Sequence, residues 1–176
     1  WSLVQAHHHR EFAARLGAAD IVYADGFGVV LSLAITHLTR SRKVTADDFF
    51  VEMCRGAAQR DLRIALFGAR ESVVERVRLT LTNAVPTLNI TCARSGYVAA
   101  EQRVDVLKEL RMADPAMVVL GMGQPLQEEW AEHLHEELPR AVIYCVGGLF
   151  DVIGAEIPRP PIWVRRVGLE WLYRLV

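Results

Sequence analysis

Cysteine is scarce in this chain of 176 residues: Cys54, Cys92 and Cys145 are scattered and odd in number, which excludes a disulfide framework. Three buried thiols in a reducing compartment are the expectation. Net charge is nearly absent too, since 20 Lys and Arg against 21 Asp and Glu leave −1. No overall basic field therefore advertises nucleic acid, and none is expected as a partner. No apolar run reaches the roughly 18 residues of a membrane span, and no basic stretch followed by an apolar core opens the chain as a signal peptide would. The start at Trp1 rather than Met leads to the expectation of a fragment or a processed chain.

Metal-ligand patterns are missing as well. His7, His8 and His9 are consecutive and would point to different faces of a helix, while His133 and His135 diverge on theirs. Asp47 and Asp48 sit in a helical first turn, where the helix dipole accounts for them. No Asp-x-Asp pair occurs, so no metal site is expected.

What remains is rich in apolar residues, 52% against 23% charged, and describes one globular domain with a substantial core. Helical stripes alternate with short apolar runs, and glycines close those runs. The pattern predicts a helix over 7–18, a strand over Ile21–Ala24, and a nearly all-apolar helix over Val29–Leu38, buried on most sides. A helix capped by Thr45 then runs to about Gln59. Strands follow at Arg63–Gly68, Leu88–Cys92, Ala116–Gly121 and Ala141–Gly147, with helices over Glu71–Asn83, Ala99–Met112 and Leu126–Leu138 between and after them. The fold class is α/β: a doubly wound, mostly parallel sheet with helices on both faces, a Rossmann-like single domain over 1–158.

Residues 159–176 differ in composition. Arg159, Arg165, Arg166 and Arg174 face one acid, Glu170, and are interleaved with Trp163, Trp171 and Tyr173. Two readings stand: a last helix packed on the sheet with a solvated basic face, or an interfacial helix meeting anionic head groups. The apolar 29–38 helix together with this Trp-rich end also suggests self-association into a homo-oligomer.

The glycines cluster after strands, at Asp25-Gly-Phe-Gly28, Gly68, Gly96-Tyr97, Gly121-Met-Gly123 and Gly147-Gly-Leu-Phe-Asp151. Strand ends of an open parallel sheet share one edge, so these turns should line a cleft where backbone N–H groups approach phosphate oxygens. Gly26-Phe-Gly28 and Gly121-Met-Gly123 each give G-x-G, but Leu31 and Leu126 occupy the place of the third glycine, against a dinucleotide fingerprint. No phosphate-binding G-x-x-x-x-G-K-[ST] loop and no G-x-S-x-G elbow is present.

Read together, the strings Ala-Asp25-Gly-Phe-Gly-Val-Val30, Ile-Ala-Leu-Phe-Gly68, Gly121-Met-Gly-Gln-Pro-Leu-Gln-Glu-Glu-Trp130, Gly147-Gly-Leu-Phe-Asp151, and Pro158-Arg-Pro-Pro with Gly168-Leu-Glu-Trp-Leu-Tyr-Arg174 resemble the WecG/TagA/CpsF glycosyltransferases, glycosyltransferase family 26. The resemblance covers nearly the whole chain. It implies an inverting, metal-independent transfer of a sugar from a UDP-sugar to a polyprenyl-diphosphate-linked saccharide, in bacterial cell-envelope or exopolysaccharide biosynthesis. No cofactor is implied beyond the UDP-sugar substrate. The place implied is cytoplasmic, peripheral at the inner face of the cell membrane, with the C-terminal region meeting the membrane surface.

By resemblance, Asp25 is the catalytic base, and a carboxylate at a strand end suits that role. Gln127, in the Pro-x-Gln-Glu segment, is expected near the reaction centre. Gly26, Gly28, Gly68, Tyr97, Gly121, Gly123, Gly147, Gly148 and Asp151 would form the donor side of the cleft. Tyr97 suits either ligand stacking or a half-buried loop position. Two departures stand out. Lys43 precedes Val44-Thr-Ala46-Asp-Asp48 where relatives usually carry arginine and, at Ala46, glycine, so a point charge replaces a bidentate guanidinium unless Arg42 substitutes. The family's Thr-x-Asn segment is missing or altered at 1–6, and its arginine-containing tail would follow Val176, so the chain is expected to stop short of a membrane-associating tail. Without that tail turnover should be poor, because one lost electrostatic donor costs roughly 10²- to 10³-fold in rate. The alternative reading is a catalytically idle, nucleotide-binding assembly module.

Overall fold

The computed structural model describes residues 2–25, 27–36 and 44–154. Helices α1 (Ser2–His8) and α2 (Arg10–Ala18) are separated at His9, whose extended backbone (φ −125°, ψ 101°) splits the single helix expected over 7–18. Residues 19–25 form no regular element; α3 (Phe27–Ile35) comes next, and α4 (Ala46–Gln59) follows with Thr45 at its N-cap position. From there strands and helices alternate: β1 (Arg63–Gly68), α5 (Glu71–Ala84), β2 (Asn89–Arg94), then a short 3₁₀ turn (Ala100–Gln102) leading into α6 (Arg103–Ala113). The chain continues through β3 (Met117–Gly121), α7 (Leu126–Glu137), β4 (Val142–Cys145) and α8 (Leu149–Ile153).

The four strands make one all-parallel sheet in the order β2-β1-β3-β4. Central strands of such a sheet are covered on both faces, so they read as continuous apolar runs. Ile64 to Phe67 and Val118 to Leu120 are indeed all at most 1% exposed. The strand period of two sorts them into two cores. Ile64, Leu66 and Val119 meet Phe50, Cys54, Val74, Val77, Leu81 and Phe150 from α4, α5 and α8. Ala65, Phe67, Val118 and Leu120 meet Val106, Leu110, Trp130 and Leu134 from α6 and α7. On the second face the Trp130 ring stands edge-on to Phe67 at 4.9 Å, and the Arg103 guanidinium lies 5.3 Å from the Trp130 ring centre, tying α6 to α7.

Chain direction within the sheet reverses beside β1. From β1 the chain steps outward to β2, crosses back over β1 to β3, then proceeds to β4. The β1–β3 seam is thus the topological switch point, where adjacent crossover helices lie on opposite faces and leave a crevice beyond the strand ends.

Two expectations need correction. Ile21–Ala24 joins no ladder, and the five expected strands come to four among the described residues. A strand needs a paired neighbour, whereas among the described residues the backbone tie of this stretch is one bond from Val44 N–H to Ala24 O at 3.1 Å, and Ile21 and Val22 are 82% and 64% exposed. The apolar helix α3 is not buried on most sides either, since Leu31 and Ile35 are exposed. Both sheet faces are already occupied by α4, α5 and α8 and by α6 and α7, which leaves α3 no sheet surface to cover. The basic, Trp-rich segment 159–176 lies outside the described residues, as do Gly26, Arg42 and Lys43.

Candidate active site

The glycine turns after β1, β2 and β3 meet backbone to backbone. A Cβ on Gly68 would collide with the Gly121 carbonyl, one on Gly96 would stand 2.9 Å from Gly68 Cα, and one on Gly121 would stand 2.6 Å from the Phe150 ring. Hydrogen bonds follow the same line: Ala69 N–H donates to Gly121 O at 2.8 Å, and Gly96 N–H to Ala69 O at 3.0 Å. Ala69, squeezed between them, takes the left-handed conformation at φ 53°, a strained geometry for a residue with a Cβ.

Above this floor opens a cleft of about 460 Å³, within the range of small-ligand sites. Ala69, Arg70 and Val73 form one side, Gly96 and Tyr97 the next, and Gly121, Met122, Gly123 and Leu126 the middle. Gly147, Gly148 and Asp151 close it at the β4 end. Of the expected donor-side residues, Tyr97, Gly121, Gly123, Gly147, Gly148 and Asp151 line this space, and Gly68 lies beneath it. Gly28 does not: it sits exposed in α3, and among the described residues it has no neighbour within 4 Å of a Cβ position.

Two charged side chains border the cleft. Asp151 stands half-buried in the first turn of α8 beside Gly148. Arg70 is exposed at the N-cap of α5, the positive end of that helix. Arg70 escaped the sequence reading; the available signal was a cation directly after the strand-closing Gly68-Ala69 pair, at the start of a helix.

Asp25 is exposed beside a tyrosine pair. Tyr23 and Tyr144 share a hydroxyl–hydroxyl hydrogen bond of 3.0 Å, and Phe49 packs against both rings at 6.3 and 6.2 Å. Burial, first, and then the Asp25 charge among lesser causes raise the Tyr23 phenol above its usual range. Tyr144 is raised further, chiefly by burial, with Tyr23 and Asp25 adding to it. Tyr144 lies on β4, three residues before Gly147, so the Asp25 charge that it feels stands near the β4 end of the sheet.

Gln127 is placed differently from a side chain open to a ligand. It is only 3% exposed, its Oε1 accepts the Gly147 N–H at 2.9 Å, and its Nε2 donates to Glu128 Oε1 at 2.8 Å. It lies behind the cleft wall and bonds to it at Gly147. Among the described residues no group of three His, Cys, Asp or Glu side chains could hold a metal ion.

With this geometry established, the family model described as "Glycosyl transferase WecG/TagA/CpsF family" matches residues 1–176. The chain belongs to the WecG/TagA/CpsF family. One relative, the N-acetylglucosaminyldiphosphoundecaprenol N-acetyl-beta-D-mannosaminyltransferase of Bacillus subtilis, is 32% identical over 95% of this chain and 64% of its own length. The protein of the same name from Bacillus spizizenii is 29% identical over 98% of the chain and 66% of its own length. This WecG/TagA/CpsF chain thus spans about two thirds of the curated relatives it matches. The family assignment accords with the strand-end glycine turns, which the structure gathers at one edge of the sheet.

Proposed function

We propose that this chain is the α/β core of an inverting, metal-independent glycosyltransferase that moves a sugar from a UDP-sugar to a polyprenyl-diphosphate-linked saccharide. The observation that carries the reading is the glycine-floored cleft at the β1–β3 switch point, bordered by Arg70 and Asp151. Glycine turns admit a diphosphate close to the backbone, and a guanidinium matches phosphate oxygens in bidentate fashion. Asp151 suits a ribose hydroxyl. The names of the two Bacillus relatives support the acceptor class, an N-acetylhexosamine on a polyprenyl diphosphate.

In this reading Asp25 takes the proton of the acceptor hydroxyl as its oxygen bonds to the anomeric carbon. The bond from that carbon to the UDP oxygen breaks on the opposite face, which inverts the centre. The departing diphosphate's charge is met by Arg70 and backbone N–H groups rather than a chelated ion; the missing Asp-x-Asp pair supports this. Lys43 is proposed to assist the same charge. The acceptor is membrane-linked, so the enzyme would work peripherally at the cytoplasmic membrane face. No described helix is long and apolar enough to cross a membrane. The exposed Leu31 and Ile35 support self-association through α3, which light scattering over a concentration series would test.

The first experiment is thermal unfolding with UDP, UDP-sugars, ADP and NAD, each with and without EDTA. A ligand at 100 times its Kd adds about 2.7 kcal/mol, and each kcal/mol moves Tm by roughly 2–4 °C in a domain of this size. A shift specific to UDP compounds that survives EDTA is expected. Binding of UDP-sugar without transfer in a full-length relative-sized protein would instead favour the idle assembly module.

A further inference from the structure

Behind the cleft wall lies a buried carboxylate that the proposed reaction does not use. Glu128 is 8% exposed; its Oε1 accepts the Gln127 carboxamide N–H at 2.8 Å, and its Oε2 has no hydrogen-bond partner among the described residues. A half-satisfied carboxylate in the protein interior costs stability, so stability does not explain its presence. Its chemistry does suit a control of orientation. An ionised carboxylate can only accept, so it forces the Nε2 end of Gln127 toward itself and leaves Oε1 to receive the Gly147 N–H. A flipped carboxamide would set Nε2 against the Gly147 N–H and Oε1 against the carboxylate, exchanging two bonds for two repulsions.

We propose that Glu128 is a positioning residue: it fixes the Gln127 carboxamide and, through it, the Gly147–Gly148 wall of the cleft. Gly147 turns there at φ 58°, and one side-chain bond from α7 holds its N–H inward. The consequence for donor binding rests on the cleft being the nucleotide site, whereas the consequence for Gly147 does not.

The test pairs two readouts, protection of the Gly147 amide against deuterium exchange by NMR and the Kd for UDP. Glu128→Gln removes the buried charge at constant shape, but its amide can present either end to Gln127. Its Tm should stay level or rise, while Gly147 exchange accelerates and UDP weakens, each by roughly five- to tenfold, the difference between a charge-assisted and an ordinary hydrogen bond. The double swap Gln127→Glu with Glu128→Gln puts the acceptor-only group at 127, where it can receive both the Gly147 N–H and the new amide. Gly147 protection should return. Unchanged Gly147 protection in Glu128→Gln overturns the proposal, as does a fall in Tm with both readouts at wild-type values. If the unmodified protein does not bind UDP, the donor reading fails by itself and Gly147 exchange still decides the positioning role. Should Glu128→Gln fail to fold, the double swap decides: protection regained supports the proposal, and protection lost overturns it.

Discussion

The Gln127 carboxamide oxygen accepts the Gly147 backbone N–H at 2.9 Å, so a side chain buried at the start of α7 holds a turn that follows β4. One hydrogen bond thereby couples the middle of the cleft to its far end. The other strand-end turns are joined by backbone contacts, by the Ser95 hydroxyl donating to Ala69 O at 3.1 Å and by the Phe150 ring against Gly121, which makes the cleft sensitive to single added carbons.

Gly68→Ala should be among the most damaging small substitutions. Its Cβ would strike the Gly121 carbonyl, and backbone cannot move aside as a flexible side chain would. Overpacking of this kind costs about 1–3 kcal/mol. A Tm lowered by roughly 2–12 °C is expected from scanning calorimetry, at about 2–4 °C per kcal/mol. An unchanged Tm would mean that the three turns do not pack as described.

Asp25→Asn tests the base. In a family member competent for transfer, turnover should fall by roughly 10²- to 10⁴-fold, the usual worth of a positioned general base. UDP affinity should stay near its original value, because Asp25 lies near Tyr23 and Tyr144 and is not among the residues lining the cleft. Near-normal transfer by this variant would remove the role.

Arg70→Ala should weaken UDP binding by roughly tenfold or more, and Arg70→Lys should restore part of it, since lysine keeps the charge but not the fork. Calorimetric titration at two salt concentrations would check this: the wild-type affinity should fall with salt more steeply than that of the alanine variant. Equal affinities would place the diphosphate elsewhere.

Alkaline pH should destabilise the fold. Burial raises the thiols of Cys54 and Cys92 to about 11 and that of Cys145 to about 12, and it also raises Tyr23 and Tyr144. Each group is protonated when folded and ionises more easily when unfolded. Their contribution is therefore intact below the ordinary thiol and phenol pKa values, roughly 8.5 and 10, and is lost as pH rises through the folded values. Urea midpoints should be level up to about pH 8 and then decline, and Tyr144→Phe should decline less steeply above about pH 10. Of the three thiols expected to be buried, Cys54 and Cys92 are, while Cys145 is half-buried, as are Tyr23 and Tyr144; a flat profile to pH 11 would contradict the neutral state of these groups.

β1 and β3 were legible in the sequence because a strand covered on both faces must be apolar throughout, and Ile64–Phe67 and Val118–Leu120 are. The strand-end glycines were legible for a related reason: Gly68 and Gly121 approach so closely that no side chain fits. Ile21–Ala24 misled because β propensity is local while pairing is not, and the long apolar run of α3 misled because apolar content does not state what covers it. The position of Gln127 was readable, but its partners were not, since Gly147 and Glu128 are set by a crossover and by a helical turn.

Composition and periodicity thus determined the α/β class, most element positions and the strand-end places of Gly68, Gly96, Gly121 and Gly147, though not that of Gly28, because these depend on solvent exclusion and on local backbone sterics. The tertiary structure decided which of those turns share a cleft, that Arg70 borders it, that Asp25 lies near the Tyr23–Tyr144 pair, and that Gln127 and Glu128 lie behind its wall. These depend on the order β2-β1-β3-β4 and on hydrogen-bond partners far apart in the chain, and side-chain direction at such contacts is fixed by packing, which no local pattern encodes.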